Sequence, residues 1–245
     1  MIGTLAALGD LGCCIGPFFL VGLVLAGFVF LMINGKIPGG LGRGRKMQPA
    51  AAQLGCTYIK STPYTSIPAA ASLHLFINGS GHRIANVISG TRDGVQMSLF
   101  DHQFHRPFSS RRIFVHTVVV AAPGFALPVF VLRPPAFLHN LGVAPVNPIT
   151  FPDHPKFSSQ FVLMGADADA IRRIFTPAVI EFCEMRPGLC LETVSEYLFL
   201  FRQGVLAPPQ NLGIYLDETN TLLRLFAAAL AGVHLQPPPM PPVQP

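Results

Sequence analysis

Residues 11–33 read LGCCIGPFFLVGLVLAGFVFLMI, without one charged side chain. About 20 consecutive apolar residues let an α-helix cross the ~30 Å hydrocarbon layer with its backbone satisfied internally, so a transmembrane helix is expected here. Asp10 precedes the stretch, and Lys36, Arg43, Arg45 and Lys46 follow it. A secretory signal has the opposite polarity, with basic residues first and a cleavage site after a shorter apolar core. Basic residues near a span are held on the cytoplasmic side. Residues 1–10 are therefore expected outside and the rest of the chain in the cytoplasm, as a single-pass protein of the inner membrane. Cys13 and Cys14 open the apolar run, whereas a lipoprotein cysteine follows one. Gly12 with Gly16, and Gly22 with Ala26, form small-residue pairs that permit self-association through the span, although such pairs arise often by chance.

Half of the 245 residues are hydrophobic and 12% are charged, with a mean hydropathy of +0.47. Ordinary soluble proteins carry about 25% charged residues, so disorder is excluded, and much of the apolar excess sits in the span. The 24 prolines and 23 glycines show no collagen period, and no heptad run or longer repeat occurs. Residues 47–245 hold 13 basic and 11 acidic residues. The net charge of +5 is thus mainly a topology signal, with an affinity for anionic headgroups of about 1 kcal/mol per basic residue near the surface. Nucleic-acid binding is not expected, because it requires a basic face on the folded domain. Cys56, Cys183 and Cys190, in a reducing compartment, are expected as small core side chains.

Five regions follow: a short N-terminal segment (1–10), the transmembrane helix (11–33), a flexible basic Gly-rich linker (34–48), an α+β domain (49–232) and a Pro-rich tail (233–245) of polyproline II type. The domain opens with a short helical turn at 50–53. Short β-branched or aromatic runs then predict strands at 56–59, 73–77, 83–90, 95–104, 112–121 and 129–132. The turn Thr-Arg-Asp-Gly at 91–94 and the loop at 106–110 make consecutive strands antiparallel. After a Pro-rich connector at 133–155, a strand at 161–164 leads to a helix capped by Asp167. A second helix is capped by Thr176 with Pro177 at its first position. A hairpin of 189–194 and 197–202 precedes a long final helix from about residue 208 to 232. Its stripe of Leu212, Tyr215, Leu216, Thr219, Leu222, Leu223, Phe226 and Leu230 should cover a sheet face. The expected fold is α+β: a mainly antiparallel sheet with two or three helices on one face, preceded by one transmembrane helix. A closed barrel-like sheet capped by the last helix is the alternative.

The order HRIANVISGTRDGVQMSLFDHQF (82–104), RRIFVHTVVVA, DHPKFSSQFVLMG and ADADAIRRIFTPAVIEF resembles a family of uncharacterised bacterial proteins with one N-terminal span and a cytoplasmic α+β domain. The likeness covers residues 50–230. Its most specific pieces are the hairpin N-V-I-x-G…G-x-x-x-x-L-F-D and the segment H-P-x-F-S…G before the helix. It implies architecture and topology and brings no activity or cofactor. His102 stands where that pattern has an aromatic residue after Phe100-Asp101, which weighs against a catalytic role at this position.

Phosphate-, dinucleotide-, zinc- and acyl-transfer signatures are absent from the sequence, and no cofactor is expected. Histidine supplies the sharpest constellation. In strands, His102 shares a face with Phe100 and Phe104, and His116 with Phe114 and Val118, so the hairpin would make the two imidazoles cross-strand neighbours. A metal needs a third ligand, yet Asp101 falls on the opposite face, and His74, His82, His139 and His154 have no fixed relation to the pair. Asp101 follows Val95, Met97 and Leu99 on its own face. It either ends the core there, paired with Arg111 or Arg112, or lines a polar pocket. Asp153-His154-Pro155 reads as a rigid connector, and Asp167 and Asp169 as helix-start carboxylates. The expected function is a non-enzymatic, membrane-tethered cytoplasmic binding or scaffolding module, its partners the lipid bilayer and a protein or a second copy of the chain. The alternative is a small hydrolase or metal-dependent enzyme built on Asp101, His102 and His116.

Overall fold

The computed structural model describes residues 41–77, 79–106, 109–141 and 144–232. The expected span, most of the linker and the Pro-rich tail lie outside the described residues. Among those described, no helix is long and apolar enough to cross a membrane. The chain divides into two units, Met1–Arg45 and Lys46–Pro245, and the sheet with its helices belongs to the second.

In chain order the elements are α1 (Leu41–Gln53), β1 (Thr57–Thr62), two 3-10 turns (Tyr64–Ser66 and Ala70–Ser72), α2 (His74–Ile77), β2 (Ser80–Arg92), β3 (Val95–Arg106), β4 (Ser109–Ala122), β5 (Phe130–Arg133), α3 (Pro135–Leu141), α4 (Pro155–Gln160), β6 (Val162–Gly165), α5 (Ala168–Ile174), α6 (Pro177–Glu184), β7 (Leu189–Val194), β8 (Tyr197–Arg202) and α7 (Leu212–Leu230). The strands form one sheet in the order β1-β2-β3-β4-β8-β7-β5-β6, every pairing antiparallel. The fold is α+β, and its sheet is open, with β1 and β6 at its two ends, instead of the closed alternative.

Local chemistry accounts for these elements. Asp93 (φ 48°) and Gly94 (φ 80°) both adopt the left-handed conformation that a two-residue turn requires if its twist is to match the strands it joins. Asp167 accepts a hydrogen bond from the Ala170 amide at 2.9 Å, the cap expected at the start of α5. β7 and β8 pair from Leu189↔Arg202 to Val194↔Tyr197. Alternation then loads both faces of the sheet. Leu99, Val119, Leu132, Leu191 and Leu200 face a core closed by α5, α6, α7 and Met47 of α1. Phe100, Phe104, Val118, Phe199 and Phe201 face a second core, covered by residues 67–76 and Phe137 of α3. Along α7, Leu212, Leu216, Thr219, Leu222, Leu223 and Phe226 are buried, while Leu230 is half exposed. Glu218 of α7 accepts from Arg186 at 2.7 Å and from Arg202 at 3.1 Å, tying α7 to the end of α6 and to β8.

Four expectations need correction. The linker does not extend to residue 48. From Leu41 onward it is helical, because Met47 and Ala51, four residues apart, are both fully buried, and that burial holds the helix in place despite Pro49. Residues 73–77 form a helical turn, with the amides of Phe76 and Ile77 bonded to the Leu73 carbonyl. A five-residue apolar run does not distinguish buried helix from buried strand. The connector at 133–155 contains α3. Helical segments cover both faces, so the sheet is a middle layer and not the floor of a two-layer domain.

The sheet has two narrow seams: β5 pairs with β7 only at Val131↔Glu192 and Leu132↔Leu191, and the other joins the ladder β1–β4 to the remaining strands. β8 pairs with β4 only over Val118–Ala121, and β4 continues beyond it, its Thr117 amide bonded to the Val205 carbonyl.

The docking of α1 predicts that Met47→Ala lowers the stability of the domain by about 2–5 kcal/mol in urea unfolding. A residue of a solvated linker would change it by less than about 0.5 kcal/mol.

Candidate functional site

β3 and β4 pair His102 directly with His116, as the alternation of their flanking aromatics requires, and both rings are fully buried. A third histidine joins them. The register of β2 slips between Ser80 and Arg83, and the His82 ring lies parallel to that of His102, with centroids 5.3 Å apart. His82 Nδ1 is 3.0 Å from His102 Nε2, and His102 Nδ1 is 3.2 Å from His116 Nε2. The result is a chain of imidazoles running from half-buried His82 into the sheet. Phe76 meets His102 edge-on at 4.8 Å, and His116 stacks on Phe201 at 4.7 Å.

Burial of both rings disfavours the imidazolium. It lowers His102 to about 2, with help from His116 and His82, and His116 to about 3, with help from the Arg133 charge. Burial lowers His82 as well. The rings are therefore neutral at physiological pH and pass hydrogen bonds in one direction. Whichever direction holds, one terminal N–H is left over. Both terminal atoms, His82 Nε2 and His116 Nδ1, are buried without a hydrogen-bond partner. Each contact nitrogen is aimed at the next ring and not at a common point, and among the described residues no group of three or more ligands is placed to hold a metal ion.

Asp101 lies on the opposite face, as expected, and is 5% exposed. Its Oδ2 accepts from Asn86 Nδ2 at 2.8 Å and its Oδ1 from Thr117 Oγ1 at 2.8 Å. Tyr58 donates to Asn86 Oδ1 at 2.9 Å, and Thr117 Oγ1 accepts from the Ala207 amide at 2.9 Å. Asn86 reaches Asp101 from a bulge in β2, where it takes a left-handed backbone at φ 53°, a conformation asparagine tolerates. Asp101 thus ends the core on its face and joins a hydrogen-bonded row across β1–β4. The side chains of Arg111 and Arg112, its expected partners, lie outside the described residues.

Beyond His116 lies a buried ion pair that sequence reading missed. Arg133 and Glu192 are almost completely buried and paired. Arg133 also donates to the Leu191 carbonyl at 2.7 Å and lies over the Phe201 ring at 4.9 Å. Glu192 further accepts from the His74 amide at 2.7 Å and the His74 ring at 3.0 Å. Although burial opposes its ionisation, the bonds from His74 and the charge of Arg133 outweigh it and lower the Glu192 pKa. The same hydrogen bond raises His74. The sequence signal for this pair was weak: one charge in each of two short, mainly apolar strands, 59 residues apart. His82 was equally hidden, since only the β2 register brings it to His102. His139 lies within α3, and His154 at the start of α4.

Asp101 and the histidines, grouped in sequence as one catalytic set, are separated by the sheet into two environments. The described residues do include a shallow depression lined by Leu54, Cys56, Gly90, Arg92 and Leu216, but it contains none of these groups.

Because the folded state holds His102 and His116 below their ordinary value of about 6.5, the unfolded state binds more protons at acid pH. Stability is full above about pH 6.5 and falls with pH below it, by about 2 kcal/mol per histidine at pH 5. His102→Gln/His116→Gln should flatten that fall in denaturant titrations run at pH 7 and pH 5. An equal slope in the variant would show that these rings do not carry the acid sensitivity. Separately, Glu192→Gln leaves Arg133 buried without its counter-charge and should cost about 3–5 kcal/mol at neutral pH.

Neither the family models nor the curated sequences compared with this chain match it. Among solved structures, the chain is similar in fold to the mycobacterial trehalose monomycolate transport factor A, TtfA, with a TM-score of 0.51 at 16% identity over 82% of this chain and 99% of that one.

Proposed function

We propose that the chain is a membrane-tethered binding module, anchored by residues 11–33 with its α+β domain in the cytoplasm, and that it serves as an accessory factor in lipid transport. One observation supports the non-enzymatic reading: the three residues singled out for catalysis, Asp101, His102 and His116, are closed inside the sheet. His102 and His116 have no exposed surface, and both oxygens of Asp101 are occupied by Asn86 and Thr117. A general acid or base has to reach the substrate proton directly or through one water. The resemblance to an uncharacterised family of single-span bacterial proteins supports the tether, and the basic flank Lys36, Arg43, Arg45 and Lys46 supports its orientation. The lipid-transport role rests on the fold shared with the trehalose monomycolate transport factor. By this reading the domain works by contact with lipid and with other proteins, and the buried polar rows keep its sheet in one register.

Two measurements test this. A reporter active only in the cytoplasm, fused after Pro245, should be active, and its external counterpart silent; the reverse result removes the orientation. Depleting the chain in its host should shift a long-chain glycolipid between the inner and the surface-extractable pools. Full rescue is expected from His102→Gln/His116→Gln at normal abundance. Failure of that folded variant to rescue would restore the enzyme reading, and an unchanged lipid distribution would remove the transport role.

A further inference from the structure

Residues 63–77 make a strap over the aromatic face of the sheet. It leaves β1 after Thr62, and the chain returns in β2, whose Ile84 is paired with Thr62, so the strap is rooted at one edge. Its far end passes the β4–β8 boundary and meets β7, where the His74 amide and ring bond to Glu192 at 2.7 and 3.0 Å. The backbone bonds of the strap stay inside it, Ile67 to Tyr64, Ala70 to Ile67, Leu73 to Ala70 and Phe76 to Leu73. Among the described residues, the hydrogen bonds from strap to sheet all run through His74. Elsewhere it is held by packing, with Ile67, Leu73, Leu75 and Phe76 buried on the core of Phe104 and Phe201. Ala69, next to the second 3-10 turn, takes a left-handed backbone at φ 55°, a strain that only the packed strap maintains. A segment bonded to itself, rooted at one end and fastened at the other can lift as a unit without breaking the sheet ladders.

The strap closes over the histidine row. Tyr64 and Phe76 lie on the His82 ring, and Phe76 on His102. His116 Nδ1, on a fully buried ring, and His82 Nε2 have no hydrogen-bond partner, and an open strap would give both to water. The titratable groups that face this space are His82 of β2, His102 of β3, His116 of β4, Arg133 of β5, Cys190 and Glu192 of β7, and Tyr64 and His74 of the strap itself; β8 and α3 bring apolar rings. Cys190, pushed up to about 11 by burial, keeps its proton. Glu192, lowered overall although burial opposes it, stays ionised. Burial holds the three row histidines below their ordinary value, whereas the bond to Glu192 raises His74. Opening therefore lets three rings take up protons more readily and one less readily, so acid favours the open strap. For each row ring that regains a value of about 6.5, opening at pH 5 gains about 25-fold over pH 7.

We propose that residues 63–77 are a hinged strap that acid lifts from the sheet, with the His74–Glu192 bond as its latch and the row of His82, His102 and His116 as the site of proton uptake. Lifting bares Phe104 and Phe201 and removes the cover from the β4–β8 boundary, so the domain offers in acid an aromatic surface that it hides at neutral pH. The device stands apart from the membrane tether and from lipid transport, since each of its parts lies in the sheet and the strap.

The test follows amide hydrogen exchange in the full chain in detergent, with each rate corrected for its intrinsic value at that pH. At pH 7 the amides of 64–77 should exchange faster than those of α7. About 1 M urea should quicken them less than it quickens α7, because a local opening exposes little surface. Between pH 7 and pH 5 the 64–77 amides should quicken about 20-fold or more, and His102→Gln/His116→Gln should remove most of that rise. His74→Ala, a change at an exposed ring, should quicken 64–77 about threefold or more at pH 7 and leave α7 unchanged. Exchange of 64–77 at the rate and urea dependence of α7 means that the strap opens only with the whole domain, which overturns the proposal. So does a rise that survives in the double variant, or a latch variant with unaltered exchange. Should the double variant not fold, His74→Ala and the pH dependence of the unaltered chain still decide.

Discussion

The rest of the fold depends on the ladder between β3 and β4, which runs from Gln96↔Ala122 to Arg106↔Ser109. Both strands carry large apolar side chains on both faces, so the pair acts as a shared wall. Leu99 and Val119 serve the helix-covered core, while Phe100 and Val118 serve the one beneath residues 67–76. A slip of one residue would exchange the two sets, bringing Asp101 under the aromatic cover and His102 among the helices. The polar side chains therefore specify register as much as the apolar ones. Asp101 finds Thr117, and His102 finds His116, only when the strands are correctly aligned.

Three polar assemblies cross the sheet, and each shows a different way of tolerating burial. The Asp101 row is closed, each carboxylate oxygen satisfied by a neutral donor. The Arg133–Glu192 pair is held by mutual charge and by His74, at a desolvation cost that buried ion pairs only partly recover. The histidine chain keeps its members neutral and leaves its terminal nitrogens unpartnered. Burial that holds His102 and His116 neutral makes this part of the sheet sensitive to acid.

Much of this was legible in the residues themselves. The β7–β8 hairpin, the Asp167 cap, the buried stripe of α7 and the pairing of His102 with His116 all follow from period, turn chemistry and spacing. What escaped shares one cause: it depends on contacts distant in sequence. His82 reaches His102 through an irregular register, and Glu192 meets Arg133 only when β7 lies beside β5. The 73–77 run became helical because it lies across a sheet face and not within a ladder. Met47 belongs to the core although the residues around it have the composition of a linker. Asp101 and His102, adjacent in sequence, were natural partners for one active site, yet the pleat that makes strand neighbours face opposite ways places them in separate compartments.

The seam between β4 and β8 has a mechanical consequence. Only Val118–Ala121 links the ladder β1–β4 to the ladder β8-β7-β5-β6, and the flanking stretch is bridged by the loop bond from Thr117 to Val205. Tension applied across the sheet, from β1 towards β6, would concentrate on those few backbone bonds and on the still shorter pairing of β5 with β7, while the longer ladders of β1–β4 and of β7 with β8 stayed intact. At the first of these lines the load is shared by α7, which packs on β3 and β4 on one side and holds Arg202 of β8 through Glu218 on the other, and so acts as a splint across it.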